Sequence, residues 1–125
     1  QQMLRYSNDG FPKVVDYLYD HFDEFKLLLT SGENSVYQEF IHRVVELDTE
    51  CTAKYIEASG NDAITSGRLT PELNHLLSSA FYTGMFEVII HDMPKAQALE
   101  HIRKMRRFYT AGWQTIFSTD GGDVV

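Results

Sequence analysis

The chain has 125 residues, a length that fits one domain, and it is 43% hydrophobic and 13% aromatic, which excludes disorder by composition. Its formal net charge of −7 repels the phosphate backbone, so this chain as it stands is not expected to bind nucleic acid. No apolar run approaches the roughly 18 residues of a membrane span, so we expect no membrane segment. The single cysteine, Cys51, cannot form an internal disulfide, which favours a cytoplasmic location.

The two ends of the chain carry little structural information. The first residues, Gln1–Arg5, lack the basic and apolar regions of a signal peptide. The chain does not begin with methionine, which is typical of a processed or tagged end, or of a fragment of a longer protein. We expect residues 1–125 to form a single domain whose polar, Gly-rich tail, residues 118–125, is disordered.

Apolar residues recur every three or four positions along the chain, and no run alternates with period two, so we predict an all-α fold. A break near Asp20–Asp23 can divide the first predicted helix. We therefore predict an antiparallel helical bundle of five to six helices, built on four segments: Pro12–Leu29, Ser35–Ala58, Thr70–His91 and Pro94–Phe117.

The third segment has the clearest start. Thr70 can cap the helix, and Glu72 favours the first turn because of the helix dipole. Pro71 suits the first helical position, where its missing N–H would have no partner. We therefore predict that a helix begins at Pro71.

The last two predicted helices carry more apolar surface than one chain needs. The fourth has an apolar arc of about 180°, and the third is wider, because Phe86 and Ile90 lie away from its main stripe. A mid-helix glycine costs about 1 kcal/mol against alanine, so Gly84 and Gly112 suggest either close approach of helices or tolerance in a large protein. One interpretation keeps this surface in the core of one chain. The other is a homodimer in which two such pairs form a four-helix bundle, with an interface at Leu77, Ala80, Gly84, Val88, His91, Met105, Phe108, Tyr109, Gly112, Trp113 and Ile116.

Three segments resemble parts of one protein family. Phe108–Phe117, with the sequence FYTAGWQTIF, resembles the end of the last helix in TetR/AcrR-type transcriptional regulators. Tyr17–Leu29 is similar to the family's junction between two regulatory helices, and Leu76–Ile90 resembles its next-to-last helix. The resemblance covers Phe11–Phe117, and the spacing of the segments carries it more than any single motif.

The resemblance implies the C-terminal ligand-binding and dimerisation domain of a bacterial repressor. Members of the family begin with a three-helix DNA-binding domain that contains a helix-turn-helix, and nothing in this chain resembles it. Operator DNA would therefore be bound only through that missing N-terminal domain. In the family, a small effector enters a pocket among the central helices, changes the spacing of the two DNA-binding heads and releases the operator. The resemblance does not identify the effector.

Asp48 lies near the middle of the apolar arc of the second predicted helix, where a buried carboxylate is costly unless it is paired. It can be the structural partner of a histidine, arginine or tyrosine from another helix, or the polar anchor of an otherwise apolar pocket. His21, on the apolar face of the first helix, can be its partner, a second anchor or a hydrogen-bonded core residue. Core packing is the commoner role of the aromatic wall candidates. The predicted ligand site comprises Asp48, Thr52, Tyr55, His21, Phe22, Phe25, Phe40, Val44, Cys51, Phe81 and Met85.

Metal binding has weaker support in the sequence. Two Glu-x-x-His spacings, Glu39–His42 and Glu72–His75, resemble those of di-iron bundles, but the first histidine points away from the apolar arc and the second glutamate suits a capping role. Glu87 and His91 could bind a metal across a dimer, although a salt bridge explains their spacing better. We therefore predict no metal site and no cofactor.

Two further interpretations remain beside the effector-sensing domain. No histidine lies one turn from Cys51 on its helix, so we expect no nucleophilic catalysis and no enzyme activity. The alternatives are a helical module that binds a protein, and a small metal-dependent bundle enzyme.

A short basic run on the fourth helix is interpreted as a solvated face that could also contact acidic parts of the domain or the missing head: Arg103, Lys104, Arg106 and Arg107.

Overall fold

The computed structural model describes residues 12–30 and 34–118, and these two stretches form helices and connecting turns without a strand. The all-α prediction is confirmed for this part of the chain. The predicted disordered tail, beyond Ser118, lies outside the described residues. The helices are α1, residues 12–20; α2, Phe22–Thr30; α3, Asn34–Ser59; α4, Pro71–Ile90; and α5, Lys95–Phe117.

A one-residue turn at His21 separates α1 from α2, so the predicted break near Asp20–Asp23 is confirmed. The backbone N–H of His21 donates to the Tyr17 carbonyl at 3.2 Å, and the N–H of Phe25 donates to the His21 carbonyl at 3.0 Å. Two hydrogen bonds with the helical i→i−4 spacing therefore flank the turn at His21.

The start of α4 agrees with the sequence signal. Thr70 has extended backbone angles, and its hydroxyl oxygen accepts a 3.1 Å hydrogen bond from the backbone N–H of Leu73. Pro71 is the first helical residue. One of the N–H groups that a helix start leaves without a partner is thereby satisfied.

The end of α4 is fixed by a turn with a left-handed residue. Asp92 has φ of 55°, a conformation that L side chains rarely adopt. The N–H of Met93 donates to the Val88 carbonyl at 2.9 Å, and that of Asp92 donates to the Ile89 carbonyl at 3.1 Å, which is the Schellman pattern. Lys26 of α2 supports this turn, because its Nζ lies 2.8 Å from Asp92 Oδ1 and donates at 2.8 Å to the last carbonyl of α4.

Except for Val45, the buried apolar side chains of the described residues form two clusters, and α4 contacts α2, α3 and α5. The first core cluster joins α1, α2 and α5 to the C-terminal half of α4, and α3 packs against it. The cluster consists of Val15, Leu18, Leu29, Met85, Phe86, Val88, Ile89, Ala98 and Ile102. The second core cluster joins the end of α3 to the following loop, and it consists of Ile56, Ala63 and Leu69, with Tyr55, Leu73, Trp113, Ile116 and Phe117 packed against it.

The middle of α5 is exposed on one side. Its buried residues, Ala98 and Ile102, both lie in its first half. Phe108 at its middle is 74% exposed, and Leu76 on α4 is 63% exposed. The apolar surplus expected for α4 and α5 is therefore present within the described residues. None of the described helices combines the length and the apolar character that a membrane crossing demands.

Candidate functional site

Polar side chains run along the contact between α3 and α4. On α4, Asn74, Ser78 and Tyr82 follow one another at four-residue spacing, which places them on one face of the helix. On α3, Asp48 and Thr52 lie one turn apart, and Thr52 is buried. We call these five residues the α3–α4 polar seam.

Asp48 is the centre of this seam. The Ser78 hydroxyl donates a 2.7 Å hydrogen bond to Asp48 Oδ2, and the Tyr82 hydroxyl donates a 3.4 Å hydrogen bond to Asp48 Oδ1. Burial, followed by the charge of Asp48 and this hydrogen bond, raises the pKa of Tyr82 well above its ordinary value. Tyr82 therefore stays a hydroxyl donor through the neutral pH range. Asp48 has the interhelical partners that a half-buried carboxylate requires, and both are uncharged.

Asn74 leaves one acceptor in the seam unused. Its amide nitrogen donates to the Thr49 carbonyl at 3.2 Å. Its Oδ1 is buried and has no hydrogen-bond partner among the described residues. A buried acceptor without a partner is costly, so this atom marks where a donor from water or a ligand would be favourable.

His21 is not the partner of Asp48. Its Nδ1 lies 2.8 Å from Glu24 Oε2, and its ring lies 4.6 Å from that of Tyr17, centroid to centroid. The pairing follows from position, because His21 and Glu24 are three residues apart across the turn between α1 and α2. The polar partners of Asp48 come instead from α4.

The other predicted ligand-site residues lie in different parts of the fold. Phe22, Phe25, Phe40, Phe81 and Met85 belong to the first core cluster or pack against it, and Tyr55 packs against the second. Val44 is half-buried on α3, and Cys51 is exposed. Only Thr52 joins Asp48 in the seam. The structure therefore does not gather the eleven predicted residues around one cavity, and it adds Asn74, Ser78 and Tyr82.

A groove of about 530 Å³ lies between α4 and α5. We call it the α4–α5 groove, and it is lined by Gly84, Glu87, Val88, His91, Met93, His101, Lys104, Met105 and Phe108. A Cβ added at Gly84 would lie 3.0 Å from the Met105 methyl carbon, so the two helices approach closely there. Glu87 and His91 pair on its rim, with Oε1 and Nε2 2.9 Å apart. Its lining is mainly apolar, and the charged groups stand at its edges.

The eleven residues of the predicted dimer interface are placed unevenly around this groove. Gly84, Val88, His91, Met105 and Phe108 line it. Val88 is buried within the single chain, so it can form only the floor. Trp113 and Ile116 are half-buried against the second core cluster, and the Tyr109 ring packs at 5.3 Å on that of Phe81. These three side chains are already partly covered within one chain. Three others lie along the same two helices, Leu77 half-buried and Ala80 and Gly112 exposed.

A second concave region of about 540 Å³ lies beside α5 near the start of α1, and its lining comprises Pro12, Leu99, Ile102, Arg103, Arg106, Arg107, Thr110 and Ala111. Arg106 is half-buried, and this burial lowers the pKa of its guanidinium. Arg103 and Lys104 both pair with Glu100, at 3.4 Å and 3.6 Å. The basic run is therefore solvated at three of its four positions and partly buried at Arg106.

The glutamate and the histidine of the first Glu-x-x-His spacing each pair with another residue of α3. Glu39 pairs with Arg43, and His42 pairs with Glu46, both at 3.2 Å. Glu72 and His75 are both exposed. Across the described ranges, no three His, Cys, Asp or Glu side chains are grouped as metal ligands would be.

Comparisons with protein-family models, with curated proteins and with solved structures gave no match.

Proposed function

We propose that this chain is the dimerising, effector-sensing regulatory domain of a TetR-type transcriptional repressor. The observation that carries the proposal is the uncovered apolar face around the α4–α5 groove, centred on Gly84 and Phe108. An apolar groove beside an exposed aromatic side chain and bordered by polar residues is typical of a surface that binds a partner. A second copy of the same face is the simplest cover, because a two-fold axis brings identical patches together.

The proposed dimer is an antiparallel four-helix bundle made from α4 and α5 of two copies. Phe108 projects from the face, whereas Gly84 and Met105 form a depression beside it. The rim carries both signs of charge, with Glu87 on α4 and Lys104 on α5. A face that holds a projection, a depression and both charges can be complementary to itself across a two-fold axis.

The proposed effector contact is the α3–α4 polar seam. Asp48 and the unpartnered Oδ1 of Asn74 supply hydrogen-bond acceptors in the seam. Tyr82 of the seam also packs against the first core cluster, so polar and apolar surfaces meet there. A few polar groups set in apolar surroundings are the usual basis of small-molecule recognition. Binding there would alter the spacing of α3 and α4, and α4 carries half of the proposed dimer face. In the full-length repressor that we propose, an N-terminal domain would bind operator DNA.

Sedimentation tests the dimer with a matched pair of variants. Phe108→Glu places a charge on the proposed interface, and Leu47→Glu places the same charge on α3, where Leu47 is 64% exposed. We expect the parent chain and Leu47→Glu to sediment as dimers at tens of micromolar and Phe108→Glu as a monomer. A parent chain that is monomeric at this concentration would overturn the proposed dimer.

Thermal melts test effector binding. A panel of small amphipathic compounds is screened for a rise in melting temperature, because a ligand that binds only the folded state stabilises it. Asp48→Asn should abolish the rise for an active compound, whereas Glu46→Gln, on the same helix, should keep it. If no compound shifts the parent chain, effector sensing at the seam loses its support.

A helical module that binds another protein is the second candidate, because an exposed apolar groove between two helices also fits a partner's amphipathic helix. The same sedimentation measurement separates the two functions. A parent chain that is monomeric and shows no response to small molecules would favour the protein-binding module.

A further inference from the structure

The two ends of α5 are attached to the rest of the domain in different ways. Near its start, Ala98 and Ile102 are fully buried in the first core cluster. Between Arg103 and Phe117 no residue of α5 is fully buried. At its C-terminal end, Trp113, Ile116 and Phe117 are half-buried against the second core cluster, and polar contacts join the last carbonyls of α5 to the loop between α3 and α4.

Arg68 in that loop makes the principal contacts. Its Nε donates a 2.8 Å hydrogen bond to the Ile116 carbonyl, and its Nη2 donates at 3.4 Å to the Phe117 carbonyl. Asn61 adds a 3.0 Å hydrogen bond from Nδ2 to the same Phe117 carbonyl. The last carbonyls of a helix have no partners within it and attract positive charge. A guanidinium group satisfies both requirements at once.

Two side chains of the loop also hold the guanidinium group of Arg68 in place. Its Nη1 donates at 2.9 Å to Ser66 Oγ, and its Nη2 pairs with Asp62 Oδ1. The Asn61 amide is oriented likewise, because its Oδ1 accepts a 2.8 Å hydrogen bond from the N–H of Ala63. The end of α5 therefore meets donors that are already in position.

The loop itself has a defined shape. Gly60 and Gly67 take φ of 76° and 86°, which residues with side chains rarely adopt. The N–H of Leu69 donates to the Ala63 carbonyl at 2.9 Å, and both of these side chains are buried. The loop is thus a small closed structure that presents Arg68 and Asn61 to α5.

We infer that this loop is a latch: Arg68 is a positioning residue that holds the last turn of α5, and opening the contact releases that turn from the loop. The latch lies between the two proposed functional regions, since its loop joins the helices of the polar seam and its carbonyl acceptors end the helix that carries Phe108. A change in the spacing of α3 and α4 would move Arg68 relative to the Ile116 and Phe117 carbonyls. This regulatory consequence rests on the proposed function, whereas the latch itself does not.

Hydrogen exchange on the full chain tests the latch. We expect Arg68→Gln to speed exchange of the amides from Gln114 to Phe117 about tenfold or more, because charge-assisted hydrogen bonds hold this turn closed. Amides of α4 from Phe81 to Ile89 should keep their parent rates. Arg68→Lys should not rescue the parent rates, because an ammonium group cannot reproduce the planar fork of donors. Arg43→Gln is the matched control, because Arg43 is an exposed arginine paired within α3.

Trp113 supplies a second measurement. It is the only tryptophan in the chain, and its ring stacks on Phe117 with centroids 5.7 Å apart. Its emission should shift towards that of exposed tryptophan in Arg68→Gln and stay unchanged in Arg43→Gln. Unchanged exchange at the end of α5, or equal acceleration over all helices, would overturn the latch. If the parent chain sediments as a monomer, the proposed dimer fails while the exchange comparison still decides the latch.

Discussion

The Ser78 hydroxyl donates a 2.7 Å hydrogen bond to Asp48 across the contact of α3 and α4. Ser78 is buried, so removal of its acceptor would leave a hydroxyl without a partner. We expect Asp48→Ala to lower the free energy of unfolding by about 1–3 kcal/mol. Ser78→Ala should cost less, because a methyl group replaces the donor and Tyr82 still serves the carboxylate. Urea unfolding of both variants and of the double variant measures the coupling, which we expect to be about 1 kcal/mol. If the losses of unfolding free energy in the two single variants add up to the loss in the double variant, the hydrogen bond contributes nothing to stability.

The turn after α4 leads to a second prediction. Asp92 has φ of 55° and pairs with Lys26 at 2.8 Å. Asp92→Gly removes the backbone strain but also the ion pair. These two effects on stability have opposite signs, so the variant should be nearly as stable as the parent chain. Asp92→Ala removes the ion pair and keeps a Cβ in the left-handed conformation, so it should be less stable than Asp92→Gly by about 1 kcal/mol. Thermal unfolding of the two variants gives the difference, and equal stability would show that the conformation of this residue is not retained.

The helices could largely be predicted from local patterns. The signal from Thr70 to Glu72 gave the first residue of α4, and the apolar period of three to four residues gave every helix. The turn between α1 and α2 was also predicted. These features depend on neighbours within about one helical turn, which a single sequence contains.

The partners of the site residues could not be predicted in the same way. Asp48 stood out because a carboxylate on an apolar face needs a partner, but Ser78 and Tyr82 lie 30 and 34 residues further along the chain. A helical wheel of α4 shows Asn74, Ser78 and Tyr82 on one face, and this polar line was the available signal. The contact of Arg68 with Ile116 spans 48 residues, and no local pattern indicates it.

Acid should weaken the latch. The hydrogen bond from Arg68 is the main cause that holds the pKa of Asp62 below its ordinary value of 3.8. A lowered pKa in the folded state contributes stability that is complete above pH 3.8 and is lost as the pH falls through the lowered pKa. Trp113 emission, followed from pH 6 to about pH 2, should therefore change in the parent chain.

Asp62→Asn is the control for this titration, since it carries no proton to gain. Its Trp113 emission should depend less on pH over the same range. At neutral pH, this emission should already be shifted from the parent value towards that of exposed tryptophan. Identical pH profiles for the parent and Asp62→Asn would exclude Asp62 as the acid-sensitive group of the latch.

The two glycines of the α4–α5 pair should respond differently to alanine. A Cβ at Gly112 meets no heavy atom within 4 Å in one chain, so Gly112→Ala should raise the free energy of unfolding of the monomer by up to about 1 kcal/mol. Gly84→Ala should raise the free energy of unfolding less, because its Cβ would lie 3.0 Å from the Met105 methyl carbon, which must move.

Urea unfolding in the monomeric Phe108→Glu background measures both gains without a contribution from pairing. The same two variants with Phe108 intact then report on the proposed interface. If Gly112 allows two copies to approach closely, Gly112→Ala should stabilise the monomer and yet raise the dissociation constant of the dimer, because the added methyl group separates the facing helices. A stabilised monomer with an unchanged dissociation constant would place Gly112 outside the interface and confine the contact to the groove around Gly84.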